Sequence, residues 1–332
     1  MKKNITIIGS NAYSIALANI LTDNHHDVII YSENELDVNN INFNHSYNIS
    51  NQLKINNKIV ATTDLVASLE NVEILILTIL NEQLLLTINK IKKYLKNEII
   101  LISTIKGFDE NNLDLLSNLI INQFSKTNLL KEFVCLYGPN NPSQIILKKP
   151  TTAMIISKNL IICEQLVKIF SNEYFLCYSN NDLITSQLVV YFIDLINLSL
   201  GILEGLGAES NTKASLITVI INLIYQIAKN YNAKLETFFN FATLANLIEN
   251  VLDTNNKYFL LGIDIVKLNN LTKALKKNNL TIDQIQVVRI AYLLCDKYEI
   301  HNEFINTLYK ILYNNIRPIA LLNHSFKGVW LV

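Results

Sequence analysis

Residues 4–14 read NITIIGSNAYS, a β-branched run that ends in Gly9 and passes through Ser10, Asn11, Ala12 and Tyr13 into a second apolar stretch. A glycine-rich turn between a strand and a helix can cradle a phosphate, because free backbone N–H groups and the positive helix end face the ligand. The first glycine of that fingerprint is Gly9, while Asn11 and Ser14 hold the second and third places. Asn tolerates a left-handed backbone, but its side chain fills space that a pyrophosphate approaches, and Ser14 adds bulk where helix and strand pack. A strand–turn–helix with no ligand fits the same residues. Glu33 lies 24 residues past Gly9. An acid at about that spacing hydrogen-bonds the ribose of NAD and repels the 2′-phosphate of NADP. An ordinary surface carboxylate is the alternative. Gly9, Ser10, Asn11, Ala12, Tyr13 and Glu33 are therefore candidate contacts for NAD or NADP, with binding weakened and a slight preference for NAD.

Elsewhere the chemistry-bearing residues are sparse. Lys106 precedes Gly107 after an apolar run, and either a ligand contact or a surface lysine suits it. His25, His26, His45, His301 and His324 have no partner at metal or dyad spacing. Cys135, Cys163, Cys177 and Cys295 form no CxxC pattern, so they read as reduced thiols of a cytoplasmic protein, with no metal site. Charge is balanced at 28 basic against 28 acidic residues, which argues against a nucleic-acid partner. Leu183–Leu206 is apolar enough to resemble a membrane span, yet it holds Gln187, Asp194, Asn197 and Glu204. Charge at a bilayer centre is costly, so a buried helix is expected. The N-terminal MKKNITIIGS has too short an apolar run for a signal peptide.

The elements that must position these residues fall into two groups. Asn4–Ile8, Asp27–Tyr31, Lys58–Ala61, Glu73–Thr78, Glu98–Ser103 and Phe133–Tyr137 look like strands, several with the continuous apolar character of buried parallel ones. Helical patterns such as Ala12–Leu21 and Gln83–Leu95 alternate with them, which implies a doubly wound α/β, Rossmann-type domain. Thr151–Ser157 and Tyr174–Tyr178, flanking a helix near Leu160–Phe170, are expected to finish that sheet. Beyond Asn181 the strand signal stops. Apolar-periodic segments at 183–203, 213–230, 234–251, 282–299 and 302–314 predict an all-helical second domain, giving domains of 1–181 and 182–332. The Asn-rich stretch 39–57 reads as loop, and Trp330, in the apolar GVWLV, as a docking segment for the body or another subunit.

The order of short motifs resembles the bacterial-type NAD(P)-dependent glycerol-3-phosphate dehydrogenases. The pieces are IIGSNAYSIALANILTDNHHDVIIYSEN, ATTDL at 61–65, Lys106-Gly107-Phe108, Gly138-Pro139 with Pro150-Thr151, and GILEGLGAESNTKASLIT at 201–218. The resemblance implies hydride transfer between NAD(P)H and dihydroxyacetone phosphate, giving glycerol 3-phosphate for phospholipid synthesis, with a homodimer left open.

Carried over by position, the resemblance keeps Lys106, Gly138 and Asn256 as substrate contacts, with Lys106 also beside the cofactor. The lysine that would polarise the substrate oxygen falls at Ile193, and the asparagine after it at Asp194. The supporting aspartate falls at Asn246 and the phosphate-binding arginine at Asn255. A serine falls at Asn140 and a glutamate at Gln144, while Asn211 and Lys213 remain; an N-cap and a first-turn surface lysine explain those two equally well. Isoleucine cannot donate a proton, and asparagine cannot make arginine's bidentate contact to phosphate. No catalytic residue is intact, so impaired catalysis is expected, with a non-catalytic relative as the alternative. A dehydrogenase acting on a non-phosphorylated substrate would account for the absent arginine but not for the absent lysine.

Overall fold

The computed structural model describes residues 2–46 and 55–324. Five parallel strands lead into the first sheet: β1 (Asn4–Ile8), β2 (Asp27–Tyr31), β3 (Val60–Thr62), β4 (Ile74–Leu77) and β5 (Ile99–Ser103). β6 (Leu130–Tyr137), β7 (Thr151–Ile156) and β8 (Phe175–Asn180) complete it in the order β8-β7-β6-β5-β4-β1-β2-β3. Neighbouring strands run parallel except at one junction, where β6 and β7 pair antiparallel with Tyr137 opposite Met154. A parallel crossover needs a dozen or more residues, usually a helix packed on the sheet. The connection here contains only the short α6 (Pro142–Ile146), which packs on α1 (Ala12–Asp23).

The core lies where the continuous apolar runs place it. Ile5, Ile7, Ile30, Ile74 and Ile76 are buried in the strands, and Ile15, Leu17 and Ile20 of α1 lie against them. Helices α2 (Glu35–Asn39), α3 (Leu65–Ser68), α4 (Leu84–Tyr94), α5 (Leu116–Phe124) and α7 (Leu160–Phe170) fill the remaining connections. The loop expected over 39–57 is partly helical, since Asn40–Asn44 forms a single π-helical turn directly after α2. Asn42 explains why: its side-chain amide both donates to the carbonyl of Ala61 and accepts from its N–H, at 2.9 and 2.8 Å, and so borders the edge strand β3. Residues 47–54 of that stretch, and Trp330, lie outside the described residues.

Two compact units emerge, the first spanning Met1–Gly107 and Asp114–Leu183, the second Phe108–Leu113 and Ile184–Val332. The short excursion belongs to the second unit because Phe108 packs its ring 5.0 Å from that of Tyr191, and Arg289 reaches Glu110 at 2.7 Å.

The second unit is helical: α8 (Leu183–Gly205), α9 (Ser210–Lys229), α10 (Asn246–Leu252), α11 (Lys257–Leu268), α12 (Leu271–Lys277), α13 (Val287–Lys297), α14 (Glu303–Tyr313) and α15 (Ala320–His324). By length and composition α8 could cross a membrane, but 83% of its apolar window is buried inside the protein. The single helix expected over 234–251 is broken. Asn240 is extended, and its side chain accepts from Ala242 and Thr243 N–H, so a 3-10 turn (Leu235–Phe239) ends there and a π turn (Phe241–Ala245) begins. Helices α11 and α12 were not expected; Asn256 and Asn270 cap them. Helix α8 crosses α11 with unusually little between the backbones. A Cβ on Gly201 would run into the carbonyl of Phe259, and one on Gly262 into that of Leu198. These paired glycines fix where α8 lies within its unit.

Candidate functional site

The first unit presents a cleft of about 490 Å³ at the C-terminal ends of β1, β2 and β4, where Gly9, Ser10, Asn11, Glu33 and Thr78 come together. Order across the sheet reverses at β1, whose following helix leads to β2 on one side while β4 flanks the other. Such a switch point is where open α/β sheets take ligands. Gly9 has φ +114°, a backbone L residues rarely adopt, and a Cβ there would lie 2.7 Å from the Thr78 hydroxyl. The turn is therefore built around a glycine.

Asn11 acts differently from what its residue type suggests. Its backbone is extended, with φ −75°, so no left-handed tolerance is used. The side chain caps α1: Oδ1 accepts from the N–H of Tyr13 and Ser14 at 2.9 and 3.0 Å, while Nδ2 donates to the Thr78 carbonyl. The helix-end amides that would meet an anion already have a partner. Ser14, fully buried, hydrogen-bonds Thr78 at 2.7 Å and so joins the turn to β4. Ser10 lies 2.6 Å from Asp37 and 2.9 Å from Ser32, which brings a second carboxylate to the cleft. Asp37 carried no sequence signal, being one acid among several after β2.

Glu33 is in the cleft wall, exposed, with Lys90 of α4 at 2.7 Å. The Tyr31 phenol stands beside it; burial first and the Glu33 carboxylate second push its pKa up. Tyr13 is not among the residues lining the cleft: its hydroxyl accepts from Asn140 at 2.7 Å, and burial holds its pKa far above the ordinary phenol value. Lys106 is half-buried, and its carbonyl accepts from Asn81 at 3.0 Å. Gly138 lies against β7, where a Cβ would strike the Thr152 carbonyl at 2.6 Å. Gln144 sits in the first turn of α6, its N–H directed at Asn141.

In the second unit, Ile193 is fully buried on α8 and lines an apolar cavity of about 260 Å³ with Val189, Ile196, Phe238 and Leu247. The next residue, Asp194, hydrogen-bonds Tyr258, whose pKa is raised by burial and then by that carboxylate. Asn246 and Asn256 are brought together through Asn250. Asn250 donates to the Asn246 side chain at 2.9 Å and accepts from Asn256 at 3.2 Å and from the buried Asn197 at 3.4 Å. Neutral amides and the Glu249 carboxylate, 3.1 Å from Asn250, make up this group. Asn250 was missed because nothing distinguishes it from other asparagines of the chain. Asn255 is exposed, with its backbone N–H on Asp253 at 3.0 Å, and is not drawn into the group.

Asn211 does not cap α9 as supposed. The helix starts at Ser210, so Asn211 lies inside its first turn, and Lys213 pairs with Glu204. Among the described residues no cluster of His, Cys, Asp and Glu could hold a metal ion.

Comparison with known proteins places this geometry in a lineage. Residues 4–163 match the family model of the NAD-dependent glycerol-3-phosphate dehydrogenase N-terminus, and residues 182–323 that of the C-terminus. A glycerol-3-phosphate dehydrogenase [NAD(P)+] of Mesoplasma florum is 41% identical over 332 residues, covering 100% of this chain and 99% of that one. One of Clostridium botulinum is 28% identical over 95% of this chain and 94% of its own. Among solved structures, glycerol-3-phosphate dehydrogenase of Coxiella burnetii superposes with a TM-score of 0.87 at 20% identity, covering 97% and 98% of the two chains. That of Plasmodium falciparum reaches 0.89 at 19% identity over 100% and 97%; these two speak to the fold, which is shared. Both halves of the sequence and its full length agree: the chain belongs to the NAD-dependent glycerol-3-phosphate dehydrogenase family.

Proposed function

We propose that this member of the family binds NAD or NADP in the cleft of its first unit and is impaired in the reduction of dihydroxyacetone phosphate to glycerol 3-phosphate. The observation that carries the impairment is Ile193. A carbonyl that accepts hydride develops negative charge on oxygen, and a donor aimed at that oxygen is worth about 10²–10³ in rate. Ile193 offers no donor, is fully buried, and lines an apolar cavity with Val189, Ile196 and Leu247. The amide group around Asn250 supplies neutral donors and a carboxylate where a phosphate needs a cation.

The cleft residues fit a dinucleotide in most respects. Gly9 gives the turn a φ of +114° that brings it close against Thr78, and Glu33 stands at the ribose end. Asn11 competes for the pyrophosphate seat through the amides it caps. When bound, the nicotinamide would supply the hydride. Gly9, Ser10 and Ala12 would hold and orient the dinucleotide, joined by the Tyr13 amide where Asn11 gives it up, with Lys106 near its reactive end. Lys106, Gly138 and Asn256 remain the candidates on the substrate side, although Asn256 already spends its carbonyl on the cap of α11 and its amide on Asn250. Glycerol 3-phosphate supply for phospholipid synthesis in the cytoplasm is the corresponding cellular role, and four free, buried cysteines suit a reducing compartment.

NADH oxidation with dihydroxyacetone phosphate, beside calorimetric titration with NADH, tests this reading. Binding with turnover at least about 10³ below the usual 1–10³ per second is the expected result. Ordinary turnover would remove the impairment. Binding with no turnover at all would favour the non-catalytic relative, to which the loss at Ile193 also points. Asn11→Gly is expected to tighten NADH binding about five- to tenfold, since a freed amide pair can gain about one net hydrogen bond. The same change costs α1 only a few tenths of a kcal/mol; unchanged or weaker binding would show that the cap does not compete.

A further inference from the structure

We infer that Lys90 sets the cofactor specificity of the cleft, receiving the 2′-phosphate of NADP and cancelling the discrimination that Glu33 alone would impose. The inference rests on the dinucleotide reading above and adds a residue that no fingerprint contains. An acid at the end of the second strand excludes a 2′-phosphate by repulsion, and a cation nearby accommodates it. Here both stand at one place: the Lys90 ammonium lies 2.7 Å from Glu33 Oε1. The two come from different elements, Glu33 from just past the end of β2 and Lys90 from α4.

Lys90 follows Leu86 and Thr87, both in the cleft wall, by four and three residues. It therefore rises on the same face of α4 one turn farther along. Tyr31 holds the other flank of Glu33, so the carboxylate that would accept ribose hydroxyls is already engaged. Both side chains remain well exposed, at 44% and 64%. An exposed pair of this kind is weakly held, and an incoming phosphate can take the ammonium while Glu33 swings away toward water. Asp37, bonded to Ser10, sits at the turn instead, so its charge bears on the pyrophosphate of either cofactor alike.

The adenosine end can be tested without any turnover. Calorimetric titrations of the full-length protein with 2′,5′-ADP and with 5′-AMP, at one fixed ionic strength, compare the phosphorylated and plain ribose directly. Wild type is expected to bind 2′,5′-ADP at least as tightly as 5′-AMP. Lys90→Ala is expected to weaken 2′,5′-ADP about tenfold or more, the scale of a lost charge-assisted contact, and 5′-AMP by less than about twofold. Glu33→Gln is expected to strengthen 2′,5′-ADP. Equal effects on both nucleotides, or none on 2′,5′-ADP, would overturn the role of Lys90 while leaving the cleft a nucleotide site. If wild type takes up neither nucleotide nor NADH, the dinucleotide reading itself has failed, and this assignment falls with it.

Discussion

Gly262→Ala is expected to lower stability by about 2 kcal/mol, seen as a fall in the thermal midpoint of about 4 °C or more. The added methyl would enter the space of the Leu198 carbonyl on α8. A side chain can rotate away from such an intrusion, but a helical carbonyl cannot, so the two helices must separate. Separation loosens the contacts of Leu198, Ile202, Leu261 and Ile265, all buried. Alanine's better helix propensity returns about 1 kcal/mol, which is too little to offset overpacking at the upper end of its range. A midpoint within about 2 °C of wild type would mean that α8 and α11 do not approach as closely as described.

Ile193→Lys, which restores the residue type that the resemblance expects, is predicted to destabilise the protein by about 3–5 kcal/mol, the scale of an uncompensated buried charge. The side chain would enter a mainly apolar cavity walled by Val189, Ile196, Phe238 and Leu247, with Thr218, Asn222, Tyr225 and Thr243 also on its wall. Desolvation would hold the lysine neutral in the folded state, whereas the unfolded chain binds its proton up to about pH 10.4. The unfolded state then carries the extra proton at neutral pH, so stability rises with pH and the deficit narrows between about pH 8 and pH 10. Urea unfolding at both ends of that range measures it. A variant as stable as wild type, with a deficit that does not change with pH, would show that position 193 reaches water or a carboxylate. Restored turnover would go further and place a working donor there.

The strands were legible because β-branched runs such as NITII, whose last four residues are all buried, and DVIIY, which alternates buried with half-buried positions from Val28 on, leave no helical alternative. Helices α11 and α12 were not. Their caps, Asn256 and Asn270, are spelled with the same residue that fills the surrounding loops, and in an Asn-rich chain a cap looks like background. The break at Asn240 was hidden for the converse reason, since Leu235, Phe238, Ala242 and Ala245 keep helical spacings of three and four straight through it. At the site, spacing from Gly9 led to Glu33, but its partner Lys90 lies 57 residues farther on and meets it only across the folded cleft. Asn11 was noticed for the volume of its side chain, whereas its main effect is to occupy two amides. That distinction depends on where Oδ1 points, which residue type alone does not fix.

The glycine crossing also bears on which residues position 193 can accept. Ile193 precedes Gly201 by eight residues, about 12 Å along α8 and about 80° beyond two full turns around its axis. A helix cushioned by side chains can roll a few degrees to present a new residue to friendlier surroundings. α8 has no such play, because at Gly201 and Gly262 backbone touches backbone. Whatever replaces Ile193 inherits its direction and its apolar neighbours. A lysine at that one codon would meet a stability barrier, and the way to a charged residue runs through prior changes in those neighbours, so that an apolar residue at 193 is held as by an evolutionary ratchet.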